Sequence, residues 1–188
     1  MFISRMSDSL LKLESAALKL LMAGLLGLIL LNVVTRSFSY ALYWVDESAI
    51  YCMIWVVFTG ASVAIRKRHR IAVTLIFDTV SPKTRHFLNI VIDGIILCFS
   101  AFMLWLIWRW YDPIGLMNSG FDFEAFSADS FNFIYDEPTN TIGLKKFWIW
   151  LILPLSFTTI FIHALANLTD SLANRETMPD RTTIGGID

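Results

Sequence analysis

Two ionisable side chains stand inside long apolar runs: Asp93 in FLNIVIDGIILCF and His163 in TTIFIHALANL. An ionisable group at membrane depth is costly and calls for a named partner. Asp93 could hold a cation or a proton. It could also snorkel toward Arg85 or Lys83, or accept bonds from a neighbouring helix. The structural reading is the stronger one: a coupled transporter needs convergent oxygen ligands, broken helices and internal repeats, and no two halves of this chain repeat. His163 could ligate a haem, but a b-type haem wants two facing histidines, and His69 and His86 lie outside the apolar runs. A third group surrounds a short hairpin. Asn32 and Arg36 sit one turn apart before it; Trp44, Asp46 and Glu47 follow it. The two acids open an apolar run, where the positive end of a helix favours an anion. An Asn32–Arg36–Glu47 polar cluster is therefore expected as a structural clasp near the outer boundary, with Trp44 at the interface. Cys52 and Cys98 have neither metal spacing nor a disulfide framework. With no P-loop, nucleophile elbow or metal signature, the chain reads as no enzyme and as holding no cofactor.

The elements that must position these groups follow from composition. Of 188 residues, 56% are hydrophobic and 16% charged, with a mean hydropathy of +0.60. Soluble domains carry about 25% charged residues, so the bilayer is the expected solvent. A net charge of −1 speaks against nucleic acid as a partner. Spanning takes about 20 apolar residues, and four runs reach that length at about 19–39, 46–66, 87–109 and 146–168. The expected fold is an all-α, integral membrane four-helix protein. An uncleaved first span fits better than a signal peptide, because TRSFSYALYW is a poor cleavage site. Pro154 should kink the fourth span, and the pairs Ala23/Gly27 and Gly60/Ala64 favour close helix packing.

Loop charges set the orientation. Eleven Lys/Arg lie in the amino-terminal segment, the loop 66–86 and the tail 169–188; four lie on the other side. The eleven should face the cytoplasm, with both termini, leaving loop 109–146 in the periplasm. Arg66, Lys67, Arg68, His69 and Arg70 then form a cytoplasmic anchor that meets the headgroups of membrane lipids. Within the same loop IAVTLIFDTV is too short to span and should lie along the interface, ended by Ser81–Pro82. Met6, Leu10, Leu13 and Ala17 recur at helical spacing, so an N-terminal amphipathic helix should lead along the surface into span one. The outer loop combines six acids with many aromatic residues. It either lies on the membrane with its rings at headgroup level, or offers a docking surface to an outer partner.

NVVTR closing span one, WVDES opening span two, WVVFTGAS within it and RKRHRIAV after it occur in an order and spacing that resembles one family. That family is the small, Q-type membrane subunit of the tripartite ATP-independent periplasmic (TRAP) transporters. Asn32, Arg36, Trp44, Glu47, Gly60, His69 and Ile71 match its pattern, while Asp46 stands where a second Glu is common. The resemblance implies a scaffold subunit of the bacterial inner membrane that binds no substrate itself. It implies as partners a large elevator-type subunit carrying the substrate and sodium sites, and a periplasmic substrate-binding protein delivering an organic acid or similar solute. The long loop 109–146 departs from the shorter linkers usual in the family.

Overall fold

The computed structural model describes residues 2–67 and 81–173. Among the described residues, four helices are long and apolar enough to cross a membrane. α1 runs Phe2–Ser37 and α2 Tyr43–Arg66; α3 runs Pro82–Tyr111. Two short helices follow outside the bundle, α4 Pro113–Asn118 and α5 Phe123–Ser130. The last crossing is α6 Phe147–Trp150 continued by α7 Ile152–Leu172. Among the described residues the β structure is an isolated antiparallel bridge, Pro138 with Lys145.

At 1.5 Å rise per residue, α1 is about 54 Å long, well over a hydrocarbon core of about 30 Å. The amino-terminal segment is helical, as its periodicity requires, but unbroken from span one. Two of its polar residues turn inward: Ser7 is fully buried and Glu14 nearly so. Arg5, Asp8, Lys12 and Lys19 are exposed, as are Leu13 and Leu20. At membrane depth a polar side chain that meets a partner helix is better placed inside than out.

The hinge residues act locally. Ser81 accepts from the Thr84 amide at 3.3 Å with Pro82 in the first helical turn. Ser–Pro therefore starts α3, five residues ahead of the expected span, because proline's missing N–H costs nothing at that position. The expected interfacial element at 71–80 lies outside the described residues. α6 and α7 part at Leu151, one turn before Pro154, where proline withholds a donor from the preceding turn. Trp55 sends its indole N–H to the Ile149 carbonyl there, at 3.0 Å.

α7 is the hub of the bundle, packing on α1, α2 and α3, while α1 also lies along α2. Phe157 of α7 meets Phe58 and Phe99 edge to face at 6.2 and 6.1 Å, over a core completed by Ile107 and Ile160. Gly60 lets Leu18 of α1 approach to within 3.8 Å of where a Cβ would stand. Gly27 has open space at that position, so the Ala23/Gly27 pair makes no close approach within the chain.

The segment between α3 and α6 folds into a cap with a core of its own. Leu116, Phe126, Ile134 and Tyr135 form its own core, joined by Tyr111, Phe123, Phe147 and Trp150. Tyr135 stacks on Phe123 at 5.6 Å and donates its hydroxyl to the Tyr111 carbonyl at 2.6 Å. Burial among these rings, with Asp112 nearby, pushes the Tyr135 hydroxyl above the usual phenol value. Asp112 ends α3 in the left-handed region and caps α4, accepting from the Gly115 amide at 3.1 Å. A Cβ on Gly115 would overlap the Asp112 carboxyl and press on Phe126. Lys145 and Lys146 close the cap on Asp136 and Glu137, each at 2.5 Å.

Candidate functional site

At the end of the bundle away from the cap, polar groups from three helices close on one another. His163 of α7 has no exposed surface. Its Nδ1 meets the Ser7 hydroxyl at 2.6 Å and its Nε2 the Glu14 carboxylate at 2.8 Å, both on α1. The neutral ring with its proton on Nε2 serves both bonds, donating to Glu14 and accepting from Ser7. Both ring nitrogens are thus engaged by α1. The hydroxyl–imidazole–carboxylate order is that of a hydrolytic triad, but Ser7 is fully buried and no substrate can reach its oxygen. One layer out, Arg66 of α2 reaches Asp8 of α1 at 2.7 Å, and Asn167 and Asp170 of α7 at 2.8 and 3.1 Å. Ser4 donates to the same Asp170 at 2.6 Å, and Asn167 to the Ile65 carbonyl at 2.8 Å. Ser62 and Thr159 join α2 to α7 at 2.8 Å.

The Arg66 side chain is 10% exposed and is taken up by Asp8, Asn167 and Asp170. Lys67, the C-cap of α2, is exposed. Arg68, His69 and Arg70 lie outside the described residues.

At the cap end the expected cluster is rearranged. Arg36 contacts Asn32 at 2.9 Å and Asp46 at 2.7 Å, and Asn32 donates its amide to Asp46. Glu47 takes no part, because successive helical residues point about 100° apart. It turns instead to the cap and accepts from three consecutive amides: Asn140 at 2.8 Å, Thr141 at 2.6 Å and Ile142 at 3.2 Å. The Thr141 hydroxyl and the Tyr51 hydroxyl, the latter at 2.8 Å, complete five donors on one carboxylate. Trp44 projects its ring outward, half exposed, clear of both groups.

Asp93 is sealed between α3 and α7, where the Ser171 hydroxyl donates to it at 3.2 Å. This is the neighbouring-helix partner that an intramembrane acid calls for. Sequence reasoning passed over Glu14, Ser7, Asn167 and Asp170. The signal was present in Ser4, Ser7, Asp8 and Glu14, which fall within one side of a helix. At membrane depth a polar side chain calls for a protein partner. Among the described residues no group of three or more His, Cys, Asp or Glu is placed to hold a metal ion.

Residues 25–174 match the family model described as the DctQ component of the tripartite ATP-independent periplasmic transporters. A curated relative, the isethionate TRAP transporter permease protein DctMQ of Oleidesulfovibrio alaskensis, is 23% identical over 158 residues. The alignment covers 79% of this chain and 22% of that protein, so the chain spans about a fifth of the length of the relative it matches.

Proposed function

The chain belongs to the DctQ component of the TRAP transporters, and from that premise we propose that it is a fixed brace for the large transport subunit. The observation that carries this reading is the closure of its intramembrane polar groups. Glu14, His163, Ser62, Thr159, Arg66 and Asp170 bond to one another, leaving an apolar exterior on which a larger helical protein can rest. α1 is the most open flank: none of its most apolar window is buried, against 44% for the last crossing. A polar interior fixes which helix lies against which, the use for which buried polar groups are best suited.

In this reading substrate and sodium are handled by the large subunit, and a periplasmic binding protein delivers an organic acid or similar solute. The relative is named as a combined DctMQ permease, which supports a working unit of both parts. Both ends of the chain lie in the cytoplasm and the cap in the periplasm, as the eleven-to-four distribution of Lys/Arg favours. The test is reconstitution. Solute uptake into liposomes should require this chain together with its large subunit and binding protein. Arg66→Ala should reduce co-purification with the large subunit in step with uptake. Accumulation by this chain alone would overturn the brace and favour a self-sufficient transporter. A cysteine placed at Ala125 should react with an impermeant maleimide from outside the cell.

A further inference from the structure

A shallow groove of about 630 Å³ runs beside the amino-terminal half of α1 and reaches the end of α2. Its floor includes Leu11, Ala16 and Leu20, and its rim carries Lys12, Lys19 and Lys67. We infer that this groove holds the headgroup and upper acyl chain of an anionic phospholipid of the inner leaflet.

Three observations carry the inference. First, the three ammonium groups have no acid partner among the described residues, although acids are close at hand. Arg66, next to Lys67 in sequence, has two: Asp8 and Asp170. Like charges converging without a counter-ion repel each other, and an anion in the groove removes that cost. Second, the lysines come from two helices yet line one groove. Lys12 and Lys19 are two turns apart on α1, and helical side chains lean toward the N-terminus. Lys67 arrives from the opposite direction at the C-cap of α2. Third, the floor is apolar and open on its side, with Leu20 among the most exposed leucines. A free anion would use the rim and gain nothing from this floor, whereas a lipid uses both. The choice of leaflet rests on the proposed orientation; the groove does not.

Near a membrane surface each lysine contributes about fivefold to anion binding, so three give on the order of a hundredfold. The experiment is native mass spectrometry of the full chain titrated with dioleoyl phosphatidylglycerol, dioleoyl phosphatidylcholine or inorganic phosphate. Phosphatidylglycerol should be retained selectively over phosphatidylcholine. The combined Lys12→Gln, Lys19→Gln, Lys67→Gln variant should lose that retention on the order of a hundredfold. The three Lys→Arg changes should preserve it. Each single Gln variant should lose about fivefold, which keeps the test readable should the triple variant unfold. Equal retention of the two lipids, unchanged retention in the Gln variants, or displacement by millimolar phosphate alone would overturn the inference. So would phosphatidylglycerol binding to the free chain but not to the chain bound to its large subunit, because a protein surface would then cover the groove.

Discussion

Replacing Glu14 and His163 by leucine, singly and together, tests whether the inner clasp holds α1 to the bundle. The two side chains share one bond of 2.8 Å in a site where His163 is fully buried and the Glu14 side chain is 12% exposed. Glu14→Leu leaves the Nε2 proton without its acceptor. The ring can then move its proton to Nδ1 and donate to Ser7, so the residual penalty is an unpaired acceptor, at the lower end of the roughly 1–3 kcal/mol for orphaned buried groups. His163→Leu is harsher. It takes the ring from a carboxylate that keeps the Thr159 and Ser62 hydroxyls and leaves the Ser7 hydroxyl without its partner, about 2 kcal/mol on the roughly 1–3 kcal/mol scale of orphaned buried groups. The double leucine variant removes both polar groups and should recover most of that loss, since an apolar pair of similar volume is often neutral or stabilising. With about 1 and 2 kcal/mol for the single changes and less than about 1 for the double, a coupling of about 2 kcal/mol is the expected outcome, at the upper end of values measured between membrane helices. Unfolding in mixed micelles of rising SDS content, followed by far-UV circular dichroism, yields the four free energies of the cycle. A coupling below about 0.3 kcal/mol, within the additivity of independent sites, would refute the clasp. So would a double variant weaker than His163→Leu alone.

Glu47→Gln should raise hydrogen exchange at the Asn140, Thr141 and Ile142 amides while α2 stays protected, because an amide group cannot accept all five donors; unchanged exchange at these positions would refute the latch. Arg66→Ala should destabilise the bundle by about 2 kcal/mol or more, and Arg36→Ala by less than about 1 kcal/mol, since their side chains are 10% and 60% exposed; the same SDS titration ranks them. Gly115→Ala should loosen the cap by about 1–3 kcal/mol through overpacking against Asp112 and Phe126, read as faster proteolysis within 112–146 with the helices intact.

Composition and periodicity alone determined that this chain is a four-crossing helical membrane protein, and that its hairpin carries Asn32 and Arg36 opposite an acid. Both are local or additive properties: hydropathy sums over about 20 residues, and a helical turn brings i and i+4 together whatever lies around them. Which acid answers Arg36 was a matter of angle. Asp46 and Glu47 are adjacent in sequence, and only the packing of α2 against the cap decided that the first faces the hairpin and the second the turn at 140–142. The cap itself was illegible for the same reason. Its aromatic residues suit a membrane surface as well as a core, and only their meeting around Tyr135 distinguishes the two. Tertiary structure also divided the polar residues of the amino-terminal helix. An amphipathic stripe states that two faces differ, but not which neighbour each one meets. α7, with Ser and His among its buried residues and Asn167 and Asp170 near its end, supplies a polar partner surface; against it Ser7 and Glu14 turn inward, while Asp8, Lys12, Leu13 and Leu20 stay exposed.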